Sequence, residues 1–176
     1  MFILACIPAY NEESKIEKIV NDTKKFVNEI IVCDDGSDDS TAIIAENSGA
    51  YVIKHSVNKG KGAEIAEQAG AYVITHKKNL GKGAALKSLF KYALHSQADV
   101  IVTIDGDGQF LPEEMEKLCK PIISGESDIV VGYRFDDNDE MPHYRKIGNK
   151  FLDQLSNISS NLSLRDTQSG FRAYSI

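Results

Sequence analysis

Apolar runs of strand length alternate with stretches of helical spacing along this chain. Phe2 to Ile7 forms an unbroken apolar run that predicts a buried strand. Pro8 to Asn11 ends it with turn chemistry, and Glu12 and Glu13 open a helix. Ile16, Ile19, Val20, Thr23, Phe26 and Val27 follow a helical period, with Lys24 and Lys25 in the last turn, where positive charge suits the helix dipole. Glu29 to Cys33 predicts a second strand running into Asp34-Asp35-Gly36-Ser37, and Ser40 or Thr41 can cap the next helix. Strand, loop and helix repeated in this way imply parallel strands joined by right-handed crossovers, with ligands bound at the strands' C-terminal ends. Leu86, Leu89, Phe90, Ala93 and Leu94 make a further amphipathic helix that begins beside Lys82 and leads to a strand at Val100 to Ile104. Met115, Leu118, Cys119, Ile122 and Ile123 give the buried face of a helix entered through Pro112 and closed by Gly125, and Asp128 to Val131 predicts another strand. After an acidic loop from Asp136 to Glu140, Tyr144, Ile147, Phe151, Leu155 and Ile158 mark one more amphipathic helix.

Between residues 42 and 83 the pattern repeats with a period of 21 residues: GAYVIKHSVNKGKGA from Gly49 aligns with GAYVITHKKNLGKGA from Gly70. Each unit holds a short helix, a strand and a Lys-bearing glycine loop. Two copies are too few for a solenoid, so we read a local tandem duplication. Tyr51 to Lys54 and Tyr72 to Thr75 are both expected as strands, one in the third-strand position at the sheet edge and the other extending the sheet.

The densest chemistry lies at DVIVTIDGDGQF, Asp99 to Phe110. A β-branched apolar run stops at two carboxylates one residue apart, Asp105 and Asp107. In extended backbone, residues i and i+2 project to the same side, and Gly106 lets the chain turn toward a ligand. Two like charges that close call for a counter-ion, and Mg²⁺ or Mn²⁺ suits an all-oxygen site that keeps positions open for phosphate. Glycines and carboxylates at a strand end also build ordinary turns. Thr103 to Glu114 comes near the EF-hand loop pattern, but its first position is Thr103 and a strand precedes it where that motif needs a helix. Asp35 and Asp105 are expected along one rim.

Composition narrows the function classes. With 176 residues, 42% hydrophobic and 26% charged, the chain can build one domain with a real core. A net charge of −6 argues against nucleic-acid binding. Cys6, Cys33 and Cys119 sit within apolar patterns without metal-ligand spacing, as reduced thiols in a cytosolic protein would, and no stretch approaches the 18 apolar residues of a membrane span. His55, His76, His95 and His143 show no ligand spacing and read as loop or surface residues. No GxGxxG follows the first strand, and NLGKGA has Gly83 where a P-loop needs Ser or Thr, so dinucleotide and P-loop chemistry are both set aside.

IPAYNEE, CDDGSDDST, NLGKGAALK, DGDGQF, VGYRF and DTQSGFR, in this order, resemble the family 2 glycosyltransferases, and within them the dolichyl-phosphate mannosyltransferase type. The resemblance implies an α/β fold of GT-A type. That is a Rossmann-like three-layer sandwich, its sheet mostly parallel with helices on both faces, and one catalytic domain would span residues 1–176. It implies transfer of a sugar from a GDP- or UDP-linked donor to dolichyl or polyprenyl phosphate by a cytoplasmic protein at the cytosolic membrane face. The duplication departs from the family pattern, and an ordered domain seldom stops on DTQSGFR, so the chain is expected to be shorter than the natural domain.

By the same resemblance, Asp105 and Asp107 form the DxD pair that binds the cation, with Gln109 completing its shell. Pro8, Tyr10, Asn11 and Glu12 form the first nucleotide loop, Asp35 holds the base or ribose, and Lys82 meets a phosphate. Arg134, Arg145 and Arg172, with Ser169, gather donors for the acceptor phosphate, a task suited to bidentate guanidinium groups. Asp105, Asp107, Arg134 and Arg172 are thus the expected catalytic residues. A non-catalytic sugar-nucleotide-binding or scaffold protein of the same fold is the competing reading, and turnover of a nucleotide sugar separates the two.

Overall fold

A computed structural model describes residues 1–54, 79–106, 108, 111–132 and 169–176. Strand β1 (Ile3–Ala9) is buried along nearly its whole length, which is why it reads as a continuous apolar run rather than an alternating one. Helix α1 (Ile16–Thr23) returns the chain to β2 (Glu29–Asp34), and α2 (Thr41–Asn47) returns it to β3 (Tyr51–Lys54). Then come α3 (Lys82–Ala93), β4 (Val100–Thr103), a 3₁₀ turn at Pro112–Glu114 running into α4 (Met115–Ile123), β5 (Ile129–Val131) and β6 (Arg172–Ser175).

Among the described residues the strands form one sheet in the order β3-β2-β1-β4-β6-β5. Strands β3, β2, β1 and β4 run parallel, whereas β6 lies antiparallel between β4 and β5, with Thr103 opposite Arg172. The period-2 alternation of β1 and β2 sends successive side chains to opposite faces. Ala5, Ile7, Ile30 and Val32 pack with Ile16, Val20, Ala45, Met115 and Leu118 from α1, α2 and α4. Leu4, Cys6, Ile31 and Cys33 pack with Ala85, Leu89 and Ala93 of α3 on the other side. The result is the three-layer α/β arrangement expected from the sequence, with every parallel strand delivering its C-terminal end to one rim.

Several boundaries differ from expectation. Helix α1 stops at Thr23 rather than continuing through Val27, yet Phe26 and Val27 still pack against the core from the following turn, and this accounts for their apparent periodicity. Ile123 and Leu94, at the last positions of their helical patterns, are exposed. The first copy of the repeat supplies β3 next to β2, in the expected third-strand position. The second copy's Tyr72 to Thr75 and the helix expected at Tyr144 to Ile158 lie outside the described residues.

The cysteines are free and buried. Burial pushes the Cys6 and Cys33 thiols far up and that of Cys119 up to about 11, so all three stay protonated and inert at neutral pH. Among the described residues no helix is long and apolar enough to cross a membrane.

Thr23, at the end of α1, is fully buried, and its hydroxyl finds no hydrogen-bond partner among the described residues. A buried polar group left in this state costs about 1–3 kcal/mol. Thr23→Val keeps the shape and removes the hydroxyl, and should raise stability by about 1 kcal/mol, or roughly 2–4 °C in Tm for a chain of this size. An unchanged or lowered Tm in a calorimetric scan would show that the hydroxyl is satisfied.

Candidate active site

At the rim, the loop after β1 and the loop after β2 are laced together. Asn11 takes a left-handed backbone conformation, φ 53°, which Asn tolerates better than most residues. Its N–H donates to Ser37 Oγ at 2.9 Å, and its side-chain Oδ1 accepts from the Asp38 N–H at 3.0 Å. The Glu12 N–H donates to Thr41 Oγ1 at 2.8 Å, the Glu13 N–H to Asp39 Oδ2 at 3.2 Å, and the Ser40 N–H to Glu13 Oε2 at 3.1 Å. Burial alone would raise the Asp39 carboxyl, but hydrogen bonds from Thr41 and the Glu13 amide outweigh it and hold the group below the usual carboxylate range. These bonds therefore support the loops at neutral pH and are lost as the pH falls through that lowered value.

The laced loops form one wall of a cleft of about 330 Å³, a volume in the range of small-ligand sites. Pro8 lines it from the end of β1, Tyr10 and Glu12 from the loop that follows, Asp35 from the β2 loop, Lys82 from the start of α3, and Asp105 with Gly106 from the loop after β4. Asp35 is 3% exposed, and its Oδ1 accepts from the Leu80 N–H at 3.2 Å, so the second loop also fixes the entry to α3. Gly81, with φ 85° and its N–H on Asn79 Oδ1 at 2.8 Å, then turns the chain so that Lys82 begins the helix facing the cleft.

Asp105 is the electrostatic centre. The Lys82 ammonium lies 2.7 Å from Oδ1 and 2.8 Å from Oδ2 of its carboxylate. Among the described lining residues, three carboxylates, Glu12, Asp35 and Asp105, face one ammonium, that of Lys82. Added positive charge would ease the entry of a diphosphate into such a cleft. Asp105 fits a divalent ion on this geometry, because both of its oxygens already face one cation and its donor set is the hard oxygen that Mg²⁺ and Mn²⁺ prefer. The described residues contain no group of three or more metal-ligating side chains. Asp107 and Gln109, the other expected ligands, lie outside the described residues, as do Arg134 and Arg145.

The third side of Asp105 is closed by a segment that the motifs did not single out for this purpose. Gly170 passes so close that a β-carbon there would lie 2.1 Å from Asp105 Oδ2. Thr103 Oγ1 donates to the Gly170 carbonyl at 2.9 Å and holds the segment in place. Phe171 is 2% exposed, and its carbonyl accepts from the Gly132 N–H at 2.8 Å. Ser169, 1% exposed, accepts from the Phe171 N–H at 3.2 Å, and its carbonyl accepts from Arg172 Nε at 2.8 Å. Ser169 and Arg172 thus flank, along the chain, the Gly170–Phe171 segment that approaches Asp105, without being among the lining residues of the cleft, and Asn11 is engaged in the loop lacing. His95 is at the surface, its Nδ1 2.8 Å from the Lys91 carbonyl. Thr103 ends strand β4, where the EF-hand pattern needs a preceding helix, and Glu114 is exposed.

Comparison with known proteins agrees with this geometry. The profile of "Glycosyl transferase family 2" matches residues 4–67 and 63–176, two ranges that meet inside the repeated segment. The chain is 36% identical over 177 residues to the uncharacterized protein MJ1222 of Methanocaldococcus jannaschii, covering 98% of this chain and 64% of that protein. It is 35% identical to the UDP-N-acetylglucosamine–dolichyl-phosphate N-acetylglucosaminyltransferase of Methanococcus voltae, covering 98% of this chain and 69% of the relative. Among solved structures, glucosyl-3-phosphoglycerate synthase of Mycobacterium tuberculosis in complex with Mn²⁺ and UDP-glucose superposes with a TM-score of 0.68 at 28% identity. That match covers 99% of this chain and 56% of the synthase chain. The sheet order, the rim of strand ends and these matches together show a GT-A fold, and the chain belongs to glycosyl transferase family 2.

Proposed function

We propose that this protein transfers a sugar (mannose, glucose or an N-acetylhexosamine) with inversion from a GDP- or UDP-linked donor to dolichyl or polyprenyl phosphate at the cytosolic membrane face. The observation that carries the reading is the cleft itself, where the Asp105 carboxylate and the Lys82 ammonium face each other at the strand ends. The dolichyl-phosphate acceptor of the Methanococcus voltae relative supports a lipid-phosphate acceptor, and the Mn²⁺ and UDP-glucose of the synthase complex support a nucleotide-sugar donor with a divalent ion.

A divalent ion held by Asp105, with Asp107 and Gln109, would neutralise charge developing on the leaving diphosphate. Pro8, Tyr10 and Glu12 cradle the nucleotide, Asp35 holds its base or ribose, and Lys82 binds a phosphate oxygen. Arg134, Arg145 and Arg172 receive the acceptor phosphate, and Ser169, buried rather than offering the hydroxyl expected from the sequence, positions Arg172 through its carbonyl. An acceptor phosphate is already anionic at neutral pH, so no side chain has to remove a proton from it, whereas a sugar hydroxyl would need a positioned base. One acceptor phosphate oxygen bonds to the anomeric carbon as the bond from that carbon to the diphosphate breaks, and the nucleoside diphosphate leaves with the electron pair. What the site has to provide is the close approach of two anionic groups.

The test offers the purified protein each nucleotide sugar with polyprenyl phosphate, phosphoglyceric acid or a free sugar alcohol, and analyses products by mass spectrometry and their anomeric configuration by NMR. Transfer to polyprenyl phosphate with inversion is expected. Transfer to hydroxyl acceptors alone, or full activity after Arg134→Ala combined with Arg172→Ala, would overturn the reading.

A further inference from the structure

The Lys82–Asp105 ion pair lies within the cleft. Resting on the metal-dependent reading above, we propose that Lys82 is a place-holding cation: it closes Asp105 to free divalent ions and releases it only when an incoming diphosphate gives the ammonium another anion to bind.

The first ground is symmetry. An ammonium 2.7 Å from one carboxylate oxygen and 2.8 Å from the other occupies the position from which a metal would use either. The second is charge. Glu12 is paired with Lys15 at 3.6 Å and Asp35 accepts the Leu80 N–H, whereas Asp105 faces the Lys82 ammonium, so departure of Lys82 without a replacement would strip Asp105 of that ion pair in a cleft already lined by two other carboxylates. Departure is therefore unfavourable until other cationic and anionic groups enter together. The third is mechanical. The backbone around Lys82 is anchored by Leu80 on Asp35 and by the burial of Ala85 and Leu89, so α3 itself need not move. The Lys82 side chain is 51% exposed, and among the described residues nothing would lie within 4 Å of a β-carbon at Gly81 or Gly83 on either side of it in sequence. A flexible lysine stem in such surroundings can change rotamer within nanoseconds, and its compact charge passes from carboxylate to phosphate more readily than a guanidinium fork would.

The consequence is coupling between two ligands. A divalent ion alone competes with an ammonium tethered at the same carboxylate and binds weakly. A nucleoside diphosphate draws Lys82 away, so ion and nucleotide strengthen each other's binding by the same factor.

Mn²⁺ titration followed by electron paramagnetic resonance, without nucleotide, reads this directly. In Lys82→Met, Mn²⁺ alone should bind at least about tenfold more tightly than in the parent, while the gain in Mn²⁺ affinity produced by UDP should shrink by a similar factor. Lys82→Arg, which retains a cation able to bridge both oxygens, should keep Mn²⁺ alone weak. Lys15→Met removes an equal charge 3.6 Å from Glu12 but not at Asp105, and should change Mn²⁺ affinity by less than about twofold. An equal gain in the Lys15 and Lys82 variants would reduce the effect to general charge and overturn the proposal. So would parent-like Mn²⁺ binding in Lys82→Met while UDP binding stays Mn²⁺-dependent, and in that case the glycosyltransferase reading stands. If the parent binds UDP equally well with EDTA present, the metal-dependent reading fails and the place-holder falls with it.

Discussion

With Asn at position 105, Mn²⁺ should no longer raise the affinity of this protein for UDP, and sugar transfer should fall by roughly 10²–10³-fold, the range seen when one preorganised charge-stabilising group is removed. The substitution keeps the shape and replaces an anionic ligand with a neutral one. A metal held there would lose a carboxylate, and a diphosphate would then enter a cleft lined by Glu12 and Asp35 with less help from the ion. Stability should change little, because Asp105 pairs with a half-exposed lysine, and such pairs contribute about 0–1 kcal/mol. Calorimetric titration of UDP with Mn²⁺ and then with EDTA separates the metal-dependent part of binding from the rest. Asp107→Asn should behave in the same way. Parent-like Mn²⁺-dependent affinity in either variant would show that the DxD assignment is wrong.

The parts of this fold that were legible in the sequence are those set by short-range rules. Strands β1, β2 and β4 announce themselves because each is covered on both faces and so carries a near-continuous apolar run. The common rim follows from parallel order alone, which is why Asp35 and Asp105 could be placed together from the sequence, whereas the structure adds Lys82 to the same cleft. Strand β6 was not legible. Arg-Ala-Tyr-Ser has no strand-like alternation of its own and becomes a strand by pairing with β4 and β5. Antiparallel order at that point was hidden for the same reason. Asn11 shows a different limit: the motif flags the residue, but only the coordinates show its side chain tied to the Asp38 amide across to the neighbouring loop. A non-glycine residue at positive φ is the local sign of that tie, and φ is not written in the sequence.

Gly170 is the plainest case of a residue whose importance is set by a distant partner, and its substitution should be among the most damaging single-methyl changes in the chain. A β-carbon there would stand 2.1 Å from Oδ2 and 2.3 Å from Oδ1 of Asp105, well inside contact distance. Two responses are open. Asp105 can rotate away, abandoning Lys82 and the position from which it would hold a metal, or the segment entering β6 can retreat. Retreat would break the 2.9 Å bond from Thr103 to the Gly170 carbonyl and pull on Phe171, which is locked in the core. Overpacking of this kind costs about 1–3 kcal/mol, so Gly170→Ala should lower the Tm but still fold. Because retreat would break these anchors, Asp105 is expected to yield, and the effect on turnover should then approach that of Asp105→Asn, since the same carboxylate is displaced. The double variant decides whether the two act through one group: if Gly170 matters by seating Asp105, adding Gly170→Ala to Asp105→Asn should cost little further activity, whereas independent effects would multiply. A Gly170→Ala protein with parent-like Mn²⁺-dependent UDP affinity would show that Asp105 does not depend on this close approach.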